Sequence, residues 1–249
     1  MRLENFSFRI AVLSLSLASV VDVGHAQPPA AWTIVRAQVA DGTGAALRVA
    51  NVRVVGDSIV SVGAEAPQAG DRTVDGTGLI VAPGFIDVHN HSTDGLATDR
   101  EAASQISQGI TTVLVGPDGS SPKSIADYLA ARRANAATVN VGTLVGHATV
   151  RQQVMGDDYR RTATHDEIER MAVLVDRAML DGALGLSSGL EYVVGSYAST
   201  DEVVALATAS AKRRGIYISH IRDEADRTLD EAVGGPCEKK ARNNQSRGH

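Results

Sequence analysis

The chain has 249 residues, of which 43% are hydrophobic and 21% charged, with 24 Gly, 7 Pro and one Cys. That balance excludes a disordered chain, a collagen-like repeat and a polytopic membrane protein, and a single thiol cannot close an intrachain disulfide. A net charge of -5 provides no clustered basic footprint for a nucleic-acid backbone, so no nucleic-acid partner is expected.

Arg2 and Arg9 precede an apolar run over 10–21, followed by Gly24-His25-Ala26. This is the pattern of a secretory signal peptide over 1–26, with cleavage before Gln27. The run is too short to span a bilayer as a helix. The expected product is an exported protein, periplasmic or secreted, with no stable membrane span.

From Trp32 to Ser61 apolar and polar residues alternate, with Asp41-Gly42 and Gly56-Asp57 as turn signals. An antiparallel β unit is expected there, within an amino-terminal segment 27–78. Beyond the turn-rich AGDRTVDGTG the pattern changes to buried apolar runs separated by helical stretches, which signals βα units and a parallel sheet. Strands are expected at about 79–89, 111–115, 138–145, 183–186 and 216–219. Helices are expected near 99–108, 124–135, 165–181 and 200–214, with another from about 227. Thr200 is the N-cap candidate of the fourth helix and Gly215 its stop. The last stretch, 236–249 (PCEKKARNNQSRGH), is polar and patternless and could not bury enough surface to order itself.

The chemistry-bearing residues recur at strand ends. His89 and His91, in APGFIDVHNHSTDG, stand two apart on a strand, so both imidazoles can face one metal ion. Asp118 follows the second strand in GITTVLVGPDGSS, as a cation ligand or as the Asp of a Pro-Asp-Gly turn. His147 follows the third strand and His220 the fifth. Carboxyl ends of parallel strands are where (β/α) barrels build active sites. Arg151, Tyr192 and Arg222 offer guanidinium forks and a phenol to a substrate carboxylate; for Arg222 the alternative is a local pair with Asp223, Glu224 or Asp226. His165 opens an amphipathic helix and is expected to face solvent. Ser187-Ser188-Gly189 lacks the nucleophile-elbow spacing.

Together, APGFIDVHNH, GITTVLVGPDG, VGHATVR, DGALGLSSGLEYVVGSYAS and YISHIRDEADRTLDEAV resemble the amidohydrolase superfamily, and within it the N-acyl-D-amino-acid deacylases, from about 32 to 233. The resemblance implies an α/β fold: a small β-sandwich segment and an incomplete TIM-like (β/α) barrel of about five βα units over 79–235. It implies one or two zinc ions, or another divalent metal, with His89 and His91 at one position, His220 at the other, and Asp118 where members often carry Cys. Arg151, Tyr192, Arg222 and His147 fall in segments resembling the pocket lining. The implied reaction is hydrolysis of a small N-acyl-D-amino acid, in which an activated water attacks the amide carbonyl. The general-base Asp of the family comes from the eighth strand and has no counterpart before residue 235.

Only about 155 residues remain for βα repeats that need roughly 250. A truncated barrel is therefore expected, and the Lys239-Lys240 pair and the tail after it are compatible with a lost reading frame. Two alternatives stand beside the deacylase. One is a dihydroorotase-like or isoaspartyl-dipeptidase-like amidohydrolase, although those commonly use a carboxylated Lys and no Lys stands at a strand end. The other is a non-catalytic truncated product.

Overall fold

A computed structural model of the chain describes residues 31–224. The signal-peptide and tail readings, and the helix expected from about 227, lie outside them. The chain divides after Pro83 into two compact units. No helix among the described residues is long and apolar enough to cross a membrane.

The first unit is a five-stranded sheet of β1 (Ala31–Val39), β2 (Arg48–Val55), β3 (Ser58–Gly63), β4 (Arg72–Asp75) and β5 (Ile80–Val81), in the order β3-β2-β1-β4 with β5 also on β1. Strict alternation buries Thr33, Val35, Ala37 and Val39 on one face of β1. The β1-β2-β3 meander is antiparallel as its turns predict, but β4 and β5 join β1 in parallel, so the sheet is mixed. Asp71 ties it together, accepting a 2.6 Å hydrogen bond from Thr33 and a forked pair from Arg53 at 2.8 and 2.9 Å. These bonds hold the Asp71 carboxyl well below the usual carboxylate range.

Residues 79–81, expected at the head of the first parallel strand, belong instead to this sheet. Pro83 and Gly84 interrupt the apolar run, and a proline cannot donate to a ladder. The second unit then begins with β6 (Phe85–Asn90). Next come α1 (Gly95–Thr98), α2 (Ala103–Ile106), β7 (Ile110–Val115), α3 (Ile125–Ala134), β8 (Asn140–Thr143), β9 (Val145–Gly146), α4 (His147–Met155), α5 (His165–Leu180), β10 (Gly185–Gly189), α6 (Thr200–Lys212) and β11 (Ile216–His220). The helix expected over 99–108 is reduced to the one turn of α2, which Ala102 precedes in the left-handed region at φ 48°; α1 ends before it.

All strand pairs in this unit are parallel, in the orders β6-β7-β8 and β9-β10-β11. The stretch 140–146 joins both: Leu144 N donates to Val115 O, and Leu184 N donates to Thr143 O, each at 2.9 Å. Five strand positions therefore follow one another in chain order, and their carboxyl ends share one edge. Leu186 of β10, Met171 and Val175 of α5 and Leu206 of α6 are fully buried in one apolar cluster. Truncating any of the larger ones to Ala costs about 2–5 kcal/mol by the usual transfer and cavity terms.

Helix starts follow local chemistry. Ser124 caps α3, and Thr164 caps α5 in a full capping box with Glu167. Ser199, one residue before the expected Thr200, caps α6 by accepting from Glu202 N. The stop of α6 also differs: Arg214 takes the left-handed conformation at φ 64°. Gly215 is needed for space, since a Cβ there would overlap the Ser210 hydroxyl and approach Gly185 Cα to 3.1 Å.

His147 and Arg151, expected to line a substrate pocket, are instead sealed in the interior with no exposed surface. His147 Nε2 lies 2.8 Å from Glu202 Oε1, and Arg151 Nη1 donates to Glu202 Oε2. Arg151 Nη2 also donates to the Tyr159 and Arg161 carbonyls. Burial pushes the Glu202 carboxyl up, but the bonds from His147 and Arg151 outweigh it and the net displacement is downward. The burial has a plain cause: a carboxylate from the first turn of α6 claims both side chains of α4, and a buried charge must be paired.

Two outcomes are expected. Glu202→Ala strands the Arg151 charge and lowers stability by about 3–5 kcal/mol, read from the urea midpoint; no change would show that α4 and α6 are held by other contacts. The forked bonds from Arg161 and the Thr164 amide hold Glu167 at about 2, below its ordinary 4.5. A carboxylate with a depressed folded pKa stabilises fully above its unfolded pKa and loses that contribution as pH falls through the folded one. Glu167→Gln should therefore flatten the stability profile between about pH 4.5 and about 2, measured by urea unfolding at successive pH values, and an unchanged slope would contradict this.

Candidate metal centre

The carboxyl ends of β6 and β7 supply three converging donors. A register irregularity against β7 between Asp87 and Asn90 turns the end of β6. Asp87 fixes that turn, accepting from His89 N at 3.1 Å and from Asn90 Nδ2 at 2.8 Å. The imidazoles of His89 and His91 then meet edge to face, with Nε2 atoms 3.3 Å apart. Each Nε2 is 3.2 Å from Asp118 Oδ2.

This triangle fits a zinc-sized ion. Tetrahedral donors at bond lengths of about 2.0–2.2 Å stand about 3.3–3.6 Å from one another. The observed edges of 3.2, 3.2 and 3.3 Å are close to that spacing. Two neutral imidazoles and one carboxylate are also a common zinc donor set, and His89 and His91 remain more than half exposed, so the cluster is open on one side.

Asp118 stands in the Pro-Asp-Gly turn, and from it the carboxylate meets both imidazoles. Asp118 adopts φ 55°, an uncommon conformation for a side chain other than glycine, between Gly116 at 79° and Gly119 at 80°. A Cβ at Gly189 would overlap the Asp118 carbonyl, and one at Gly146 would overlap the Gly119 carbonyl. Backbone packs directly on backbone, so the turn is pressed against the ends of β9 and β10. From α4, Thr149 N donates to Gly119 O at 3.1 Å, and Thr149 Oγ1 accepts from Ser121 N at 2.9 Å.

His220 does not enter the triangle. Its Nε2 lies 2.8 Å from Glu191 Oε2 and 3.6 Å from Glu224 Oε1, forming a neighbouring cluster at the end of β11. The Glu191 bond raises the His220 pKa against the effect of burial, aided by the charges of Glu224 and Asp118. Tyr192 stacks on the His220 ring at 4.6 Å between centroids, with its hydroxyl 3.4 Å from Nδ1. Partial desolvation raises the phenol, and Asp118, Glu191 and Glu224 add to it. Arg222 donates through Nη2 to Ala198 O at 2.8 Å, anchoring the loop after β10.

His165 is exposed and pairs with Glu169 one turn along, as its helix position predicts. Three acidic participants were not among the sequence candidates for the site, Glu224 having been considered only as a partner of Arg222. Glu191 stands beside Tyr192 just after β10, so the strand-end rule that selected Asp118 would also have selected it. Glu202 carried only the signal of an acidic residue in a helix's first turn, which gives no hint of a buried partner.

Comparison with known proteins gives this geometry a setting. Residues 72–228 match the amidohydrolase family. The chain is 37% identical over 209 residues to a D-aminoacylase of Alcaligenes xylosoxydans, covering 75% of this chain and 43% of that protein. It is 38% identical over 232 residues to an N-acyl-D-aspartate deacylase of the same organism, covering 84% and 46%. Among solved structures, an N-acyl-D-glutamate deacylase of Bordetella bronchiseptica, in complex with zinc and a phosphonate inhibitor, superposes with a TM-score of 0.78 at 33% identity. A D-aminoacylase described as having a binuclear metal centre gives 0.77 at 35%. Those two superpositions cover 84% and 82% of this chain and 48% of each neighbour. The chain thus spans about half the length of the relatives it matches. With the match extending over more than half of its residues, it belongs to the amidohydrolase family.

Proposed function

We propose that the chain carries the amino-terminal share of an N-acyl-D-amino-acid deacylase: a small β-sandwich segment and the first five strands of a TIM-like barrel, bearing a zinc centre. The carrying observation is the convergence of His89, His91 and Asp118 at metal-ligand spacing on the strand ends of a chain 37–38% identical to two D-acyl hydrolases. A zinc ion, when bound, supplies Lewis-acid polarisation and a lowered pKa for water.

The chain's own residues do the rest. Asp118 brings the one negative charge of the triangle, offsetting the cation, while its rigid turn keeps the donor in place. His220 is the proposed donor for a second ion, next to Glu191 and Glu224. Tyr192, stacked and exposed at its edge, presents a hydroxyl to the substrate. Arg222 is the proposed partner of the substrate carboxylate, one end of its guanidinium steadied by the Ala198 carbonyl. The general base implied by the family is not among the described residues.

A second reading is zinc binding without turnover, since the described residues place no general base of the family beside the triangle. One assay separates the two. Zinc-loaded protein is expected to release the amino acid from N-acetyl-D-methionine and not from its L enantiomer, and His89→Ala should lower kcat/KM by about 100-fold or more, equivalent to about 2.7 kcal/mol of transition-state stabilisation. Stoichiometric zinc with no release would establish the second reading instead.

We also propose export, from the charged start, short apolar run and Gly24-His25-Ala26. Amino-terminal sequencing of the protein recovered outside the cytoplasm should begin at Gln27. An intact Met1 would contradict processing.

A further inference from the structure

We propose that Ser187 is a positioning residue for the metal centre, its hydroxyl fixing the turn that presents Asp118. The proposal rests on the reading of His89, His91 and Asp118 as a cation site. Ser187 lies in β10 with no exposed surface. Its Oγ donates to Gly116 O at 2.6 Å and accepts from Gly119 N at 3.1 Å. These are the residues immediately flanking Pro117-Asp118, some 70 positions earlier in the chain. One hydroxyl therefore holds both ends of a two-residue span, and the Asp118 Cα has little freedom left.

The arrangement suits no other task as well. Both hydrogen-bonding roles of the hydroxyl are taken, and the group is closed to solvent, so it is not available as a nucleophile. Its neighbours on β10 divide the work: Leu186 enters the apolar cluster, Ser188 bonds Tyr217 and Ser219 at 2.6 and 2.8 Å, and of these three side chains Ser187 is the one bonded to the turn. The turn gains from such a restraint because Asp118 occupies the left-handed region, which residues other than Gly adopt infrequently. Steric contact from Gly146 and Gly189 stops the turn from moving inward. The Ser187 bonds stop it from lifting off β10, and so fix where the Asp118 carboxylate meets His89 and His91.

Zinc titration of the full chain against a fluorescent chelator tests this. Ser187→Ala is expected to weaken zinc binding by about 10–100-fold with the far-UV circular dichroism unchanged, the size usual for lost outer partners of a metal ligand. Ser187→Cys, which keeps a γ atom but only a weak donor and acceptor, should weaken it in the same direction. In an Asp118→Ala background the further loss from Ser187→Ala should be less than about twofold, because the effect passes through Asp118. Wild-type zinc affinity in a folded Ser187 variant overturns the proposal, as does an equal loss in the Asp118→Ala background. Amide exchange of Gly119 in the unaltered, metal-free chain needs no variant: protection matching β10 is expected, and free exchange overturns the clamp. A chain that takes up no zinc overturns the reading of the centre, and is told apart because Gly119 protection is measured without metal.

Discussion

The turn carrying Asp118 is pressed so closely on the ends of β9 and β10 that carbonyl oxygens occupy the space where Gly146 and Gly189 would otherwise bear side chains. This contact fixes the third corner of the donor triangle, since His89 and His91 come from one strand and cannot by themselves define a site. The left-handed backbone at Asp118 carries a steric cost, smaller for Asp than for most side chains. The hydrogen bonds from Thr149 to Gly119 and between Ser187 and the turn, at about 0.5–1.5 kcal/mol each, are of the size needed to offset it.

The electrostatics around the triangle have one sign. Desolvation raises the Tyr192 phenol most, Asp118, Glu191 and Glu224 add to it, and both glutamates face His220. Such a field favours a cation at either cluster, because it opposes the desolvation that binding requires. It also orders the two clusters chemically: the β6–β7 triangle holds two imidazoles and one carboxylate, whereas the β11 cluster holds one imidazole and two carboxylates. The first is the softer donor set, better matched to zinc than to a hard, oxygen-seeking ion.

What the sequence made legible was local. The helices expected near 124–135, 165–181 and 200–214 begin within a residue of those positions, the i, i+2 histidines lay on one strand end, and Asp118 followed an apolar run. What it hid was contact at a distance. The run 79–89 reads as one strand because hydrophobicity cannot show that Pro83 hands Ile80 and Val81 to β1. His147 and Arg151 follow a strand and look like pocket residues, until a carboxylate 51 to 55 residues away draws them inward. Ser187 carries no motif at all, since its function lies in which backbone atoms it reaches.

The Glu202 arrangement bears on motion as much as on stability. Separating α6 from α4 would leave a guanidinium and a carboxylate in the interior with no mutual partner, so neither helix can fray alone from that end. The two should open as a single cooperative unit, with a free energy near that of the apolar cluster they share. The turn bonded to Thr149 of α4 is then tethered to the least mobile part of the unit, while Tyr192 and Glu191, on the loop leaving β10, are free of that restraint.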